Sequence, residues 1–139
     1  MTIAEALILA RQMGVDRVDA QMLLGLVLQK GRGWLISHDD ALLSEEQAQG
    51  LTLQLQQRAE GQPVAYIVGQ KEFHGLMLTV TPDTLVPRPD TETLVDWALE
   101  LLSGMPGEPR IIDLGTGSGA IALAIKHRCP RARVEALDL

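Results

Sequence analysis

A glycine-rich stretch in the last quarter of the chain is the strongest candidate for chemistry. It runs Asp113-Leu114-Gly115-Thr116-Gly117-Ser118-Gly119-Ala120. An apolar pair, Ile111-Ile112, precedes it and a run of helical character follows, which predicts strand, tight loop and helix in that order. Because glycine adopts positive φ without a Cβ clash, glycines at alternate positions let the backbone approach a ligand closely. We therefore expect a ligand-binding loop here.

We compare three kinds of ligand that a glycine-rich loop of this type can bind. A phosphate-binding P-loop requires a lysine directly after the glycines, and the next lysine is Lys126, so that ligand is excluded. A nicotinamide dinucleotide fits better, because residues 117–122 match G-x-G-x-x-A and Asp138 follows about 20 residues later. S-adenosylmethionine fits a third pattern, D-x-G-x-G-x-G, beginning at Asp113.

The charge of Asp113 favours S-adenosylmethionine. A dinucleotide would bring its pyrophosphate to the loop, where this carboxylate repels it. S-adenosylmethionine has an ammonium and a sulfonium and no phosphate, so the same carboxylate attracts it by on the order of 1 kcal/mol. Asp138 serves either cofactor, since a carboxylate at the end of the next strand can accept hydrogen bonds from both ribose hydroxyls.

Composition limits the classes of protein that remain. The 139 residues include 12 Lys and Arg and 18 Asp and Glu, a formal net charge of −6, so we expect no direct nucleic-acid partner. One cysteine, Cys129, allows no disulfide within the chain, which favours a reducing, cytoplasmic setting. Neither a basic signal-peptide start nor an apolar run of about 20 residues occurs, so we expect no membrane association.

The first half of the chain predicts helices. Thr2 with Glu5 and Ser44 with Gln47 fit capping boxes, and apolar residues recur at helical spacing after each. We predict an all-α helical bundle over residues 1–70, with no catalytic cluster.

The spacing of apolar residues changes after residue 70, from a helical repeat to alternation. Alternating apolar residues at 76, 78 and 80 predict a strand, paired as a hairpin with residues 71–73. Residues 71–88 are then a hairpin and extended linker, and residues 89–139 are the start of an α/β domain. The next helix is expected to bury Leu94, Trp97, Ala98 and Leu101. Since Ile111 and Ile112 both have the character of a strand covered on two faces, we expect further chain beyond residue 139 to complete the domain.

Several stretches together resemble the HemK/PrmC family, methyltransferases that modify the glutamine of the Gly-Gly-Gln motif in peptide-chain release factors. The resemblance covers most of the chain, and its most specific part is Leu85-Val86-Pro87-Arg88-Pro89-Asp90-Thr91-Glu92. The other matching stretches are residues 61–69, residues 72–76 and the glycine loop through Ala122.

The resemblance implies a fold, a cofactor and a partner. The family has a helical bundle that helps dock the release factor, a β-hairpin linker and a Rossmann-like class I methyltransferase domain. Matched residue by residue, the S-adenosyl-L-methionine-binding residues would be Gly115, Thr116, Gly117, Ser118, Gly119 and Asp138, with Asp113 in the same motif.

The family's catalytic Asn-Pro-Pro-Tyr loop does not occur in this sequence. In the family it holds the glutamine amide, so no catalytic residue can be assigned within residues 1–139. We expect these residues alone to be inactive. Two alternatives stay open: an NAD-dependent oxidoreductase and a non-enzymatic partner-binding module.

A few other residues are open to more than one interpretation. Arg88 and Glu92 could shape the cofactor pocket or form an ordinary i,i+4 ion pair at a helix start. His38, His74 and His127 lack metal-ligand spacing, so no metal site is predicted.

Overall fold

The computed structural model describes residues 1–139 as two compact units, Met1–Val68 and Gly69–Leu139. The first unit is entirely helical. Its helices are α1 (Ile3–Gln12), α2 (Arg17–Leu28), α3 (Arg32–Ser37), α4 (Glu45–Ala59) and α5 (Val64–Val68).

Side-chain caps fix where the helices begin. The predicted capping boxes form at Thr2 with Glu5 and at Ser44 with Gln47, each with both reciprocal hydrogen bonds. Asp16 caps α2 by accepting from two backbone N–H groups. Each cap satisfies donors that the first turn of a helix leaves without partners.

The core of the helical unit forms where the apolar faces of its helices meet. Its fully buried large side chains are Ile3, Leu23, Leu24, Leu35, Leu51 and Leu55. Not every apolar residue of α2 lies on its buried face: Val18, Met22 and Leu26 are exposed.

The second unit begins with an antiparallel hairpin of β1 (Gln70–Phe73) and β2 (Leu76–Thr79). The predicted pairing is confirmed, with Phe73 opposite Leu76 across a two-residue turn. An extended segment and a 3₁₀ turn, Pro89–Thr91, lead into α6 (Glu92–Ser103).

A β-α-β unit completes the chain. It consists of β3 (Arg110–Leu114), α7 (Ala120–Arg128) and β4 (Arg133–Leu137), and the two strands pair in parallel from Arg110 opposite Arg133 to Leu114 opposite Leu137. The fold class predicted from the sequence is therefore confirmed: a helical region, a hairpin, and the first β-α-β of an α/β domain.

The buried face of α6 was predicted only in part: of the four residues expected there, Ala98 packs against the core of the second unit. Val95 and Leu102 are buried, in a core with residues of the hairpin and α7, whereas Leu94, Trp97 and Leu101 are exposed. The helix is apolar on more than one side, so periodicity alone did not identify the side that meets the hairpin and α7.

The two isoleucines of β3 differ in burial within residues 1–139. Ile111 packs against the core of the second unit, but Ile112 is 55% exposed. Successive side chains of a strand point to opposite faces, and in this chain only one face of the β3–β4 sheet is covered by helices.

No helix in the structure combines the length and the apolar character needed to cross a bilayer.

Candidate functional site

The glycine loop lies between β3 and α7, at the carboxyl end of the strand, as its sequence predicts. Gly115, Gly117 and Gly119 have φ of +72°, +58° and +81°. A side chain at any of these positions would strain the backbone, since L residues rarely adopt this region. The alternate glycines are therefore required by the conformation of the loop.

The loop also leaves room where a ligand would approach. A Cβ built on Gly115 or Gly117 meets nothing within 4 Å. The one on Gly119 would contact the side chain of Leu123 at 3.7 Å, an ordinary packing distance. Gly115 and Gly117 therefore present bare backbone to open space.

Backbone hydrogen bonds anchor the loop to the end of β4. The N–H groups of Gly115 and Thr116 both donate to the carbonyl oxygen of Leu137, at 2.8 and 3.0 Å. The N–H groups of Ser118, Ala120 and Ile121 donate to no protein group. These donors belong to the loop and the first turn of α7, so the site offers free backbone N–H groups to a ligand.

Asp113 is held inside the loop. The hydroxyl of Thr116 donates to Oδ2 of Asp113 at 2.8 Å, and the carboxyl group is half-buried. This hydrogen bond fixes the orientation of the carboxylate and leaves Oδ1 without a protein partner. The negative charge that distinguishes the possible cofactors is therefore part of the loop itself.

Asp138 meets the loop from the end of β4. Its Oδ2 accepts from the backbone N–H of Gly117 at 2.9 Å, and its Oδ1 accepts from the N–H of Leu139 at 2.9 Å. Each carboxylate oxygen can accept more than one hydrogen bond, so both retain capacity for a ligand hydroxyl. The structure thus brings together all seven residues proposed for the site, 113, 115–119 and 138.

Lys126 does not approach the loop. Its Nζ donates to the carbonyl oxygens of Pro130 and Ala132, both at 2.7 Å, at the far end of α7. The structure gives the glycine loop no lysine, because the only lysine after the glycines binds carbonyl groups of the segment that follows α7.

Glu92 has a partner that the sequence did not indicate. Its Oε1 accepts from the backbone N–H of His74 at 2.7 Å, and Oδ1 of Asp96 lies 2.7 Å from Nε2 of the same histidine. His74 has φ of +49° in the hairpin turn. Two acids one helical turn apart on α6 thus hold this turn, a spacing that the sequence does contain.

The ion pair considered between Arg88 and Glu92 does not form. Arg88 is exposed and makes no ion pair, while Glu92 is engaged by His74. Among the other histidines, His38 stacks on Trp34 with ring centroids 4.3 Å apart, and His127 is exposed.

Comparison with known proteins matches both halves of the chain. Residues 2–69 match the family described as PrmC N-terminal domain. Over 124 residues, 88% of this chain, the sequence is 47% identical to the release factor glutamine methyltransferase of Coxiella burnetii, of which it covers 44%.

Two further relatives have the same description. The release factor glutamine methyltransferase of Bordetella pertussis is 44% identical over 91% of this chain, covering 46% of that protein. That of Escherichia coli K12 is 45% identical over 88% of this chain, covering 43% of that protein. The chain therefore spans less than half the length of these relatives.

Fold, loop and comparisons together define a helical domain followed by the start of a methyltransferase-type α/β domain. The resemblance to the HemK/PrmC family that the sequence motifs indicated is confirmed by these matches.

Proposed function

We propose that this chain forms the substrate-docking and cofactor-binding part of a release factor glutamine methyltransferase. The reaction is transfer of a methyl group from S-adenosyl-L-methionine to the side-chain amide nitrogen of the glutamine in the Gly-Gly-Gln motif of peptide-chain release factors. The observation that carries the cofactor assignment is the Asp113 carboxylate, which the Thr116 hydroxyl holds within the glycine loop at 2.8 Å.

The residues present fit this cofactor. Gly115, Thr116, Gly117, Ser118 and Gly119 wrap it, because the loop combines bare backbone facing open space with free N–H groups. The cofactor supplies a methyl group activated on a positively charged sulfur.

Two carboxylates suit the other features of this cofactor. Asp138 has lone pairs for the two ribose hydroxyls, in addition to its bonds with the backbone. Asp113 contributes negative charge near the positive groups of the ligand, where a pyrophosphate would be repelled. This difference in charge is what favours a methyl donor over a nicotinamide dinucleotide.

The acceptor side of the reaction needs residues that this sequence does not contain. An amide nitrogen is a poor nucleophile, so the rate of transfer depends mainly on holding it in line with the methyl group. In the family that task falls to Asn-Pro-Pro-Tyr, which does not occur in residues 1–139. Residues 1–139 alone are therefore expected to bind the cofactor without methylating a release factor.

Three consecutive segments of the chain have different roles in this proposal. Residues 1–70 dock the release factor, residues 71–88 connect the helical domain to the methyltransferase domain, and residues 89–139 begin that domain. The substrate places this activity in the cytoplasm, where translation ends.

A chimera tests the proposal directly. Residues 1–139 are joined to the part of the Escherichia coli K12 relative that follows the matched region, and methylation of a purified release factor is measured by mass spectrometry. The proposal predicts a mass increase of one methyl group on the Gly-Gly-Gln glutamine. A chimera that folds cooperatively and binds the release factor, but gives no methylation, would contradict the assignment of the cofactor half.

A further inference from the structure

The helical unit contains a cleft that the methyl-donor site does not use. It has a volume of about 590 Å³ and lies among α1, α2, α3 and the loop after α1. Its aliphatic walls come from Leu7, Ile8, Leu35 and Ile36. A volume of this size is usual for a binding site, where roughly 300–1,000 Å³ is the common range.

Two of the wall residues form an exposed apolar rim. Ile8 is 57% exposed and Ile36 is 58% exposed. Single exposed aliphatic residues are common on protein surfaces, but these two border the same cleft. Their shared position indicates a surface that an apolar group of a partner would cover.

A buried amide lines the same cleft. Gln21 is the polar residue among the buried ones, with 5% of its surface exposed. Its Oε1 has no hydrogen-bond partner, and its amide nitrogen donates to no protein group. A buried carbonyl oxygen without a donor destabilises a fold, and an apolar residue of similar size would be more stable there. The unpaired Oε1 therefore indicates a ligand that supplies the missing donor.

The charged residues of the cleft are largely uncommitted. Arg11 and Arg17 both line it, and neither belongs to an ion pair. The Asp16 carboxylate is engaged as the cap of α2, and Asp39 is the remaining acid. Two guanidinium groups thus remain free to bind a carboxylate of a partner.

We infer that this cleft receives an extended peptide segment of the release factor, which rests on the proposed function. A peptide bond has one N–H and one C=O, the complement of the Gln21 amide. An aliphatic side chain of the segment covers Ile8 and Ile36. An acidic side chain beside it pairs with Arg11 and Arg17.

Affinity measurements on this 139-residue chain test the inference. A purified release factor is titrated into the wild type and into two variants, Gln21→Leu and Arg17→Glu. We expect each variant to bind at least tenfold more weakly. Gln21→Leu should at the same time raise the melting temperature, because it removes an unpaired buried amide.

The chain offers a matched control for each variant. Gln54 on α4 also has a buried, unpartnered Oε1 and does not line the cleft, so Gln54→Leu should leave the affinity unchanged. Arg17 and Arg32 each occupy the first position of a helix, and Arg32 is exposed, without an ion pair and away from the cleft. Arg32→Glu should therefore also leave the affinity unchanged.

The outcomes separate the cleft from the proposed function. If the wild type binds the release factor and Gln21→Leu binds equally well, the cleft inference is overturned and the methyltransferase proposal stands. If the wild type binds S-adenosylmethionine but no release factor, the cleft and the docking role are overturned and the cofactor assignment stands. If the wild type binds neither S-adenosylmethionine nor the release factor, the cleft inference, the docking role and the cofactor assignment are all overturned.

Discussion

The carboxylate of Asp138 accepts a hydrogen bond from the backbone N–H of Gly117 across 2.9 Å, although 21 residues separate the two. The parallel pairing of β3 with β4 creates this contact, because it brings the ends of both strands to one edge. The acid that would bind the ribose is therefore coupled to the loop that would enclose the rest of the cofactor.

Removal of the Asp138 side chain should weaken cofactor binding. Asp138→Ala deletes charge-assisted hydrogen bonds worth roughly 1.5–3 kcal/mol each, so we expect at least a tenfold loss of affinity for S-adenosylmethionine. Calorimetric titration measures the loss. Asp138→Asn keeps an oxygen for the Gly117 N–H and should lose less; equal affinities in the wild type and both variants would argue against a ribose contact.

A side chain at Gly117 should damage the same site. Gly117→Ala places a Cβ at φ +58°, which costs about 1–2 kcal/mol, and the methyl group projects toward the proposed ligand. We expect both lower stability and lower affinity for the cofactor. Gly107, with φ +71° and equal open space, lies in the connector before β3, so Gly107→Ala should lower stability alone. Equal losses of affinity in the two variants would mean that strain, and not the ligand contact, is responsible.

Glu92 should stabilise the second unit through its contact with His74. Glu92→Ala leaves the His74 N–H without its acceptor in a partly buried turn, at a cost of about 1–3 kcal/mol. Urea unfolding measures this difference. Glu92→Gln retains a side-chain oxygen for the same N–H and should recover most of the stability. If the glutamine variant is as unstable as the alanine variant, charge rather than the hydrogen bond stabilises the turn.

Two helical glycines should respond to alanine in opposite directions. Gly50 lies within α4 and a Cβ there meets nothing within 4 Å, so Gly50→Ala should raise the free energy of unfolding by up to about 1 kcal/mol. A Cβ on Gly25 would lie 2.9 Å from the carbonyl oxygen of Lys30, so Gly25→Ala should destabilise the protein. Thermal melts of both variants check the signs. Stabilisation by Gly25→Ala would show that the end of α2 shifts freely.

The sequence was sufficient for local features of the fold. Capping boxes at Thr2 and Ser44, and the positive φ of the loop glycines, depend on residues close together in the chain, so motif and spacing predict them. The proximity of Asp138 to the loop could also be predicted from the sequence, because a β-α-β unit brings those strand ends together.

Features that depend on tertiary packing could not be predicted from the sequence in this way. α6 has apolar residues on more than one side, and only the position of the hairpin and α7 determines that Val95 is buried and Trp97 is exposed. The contact of Glu92 with His74 depends on a turn conformation that no motif encodes. The unpaired amide of Gln21 likewise becomes visible only when the residues around it are in place.

The central claim is that the glycine loop and Asp138 hold S-adenosylmethionine. The most direct test is calorimetric titration of the 139-residue chain with S-adenosylmethionine and, separately, with NAD. The claim predicts saturable binding of S-adenosylmethionine that Asp138→Ala weakens at least tenfold, and no saturable binding of NAD. Binding of NAD with none of S-adenosylmethionine, or binding of S-adenosylmethionine that is indifferent to Asp138→Ala, would contradict it.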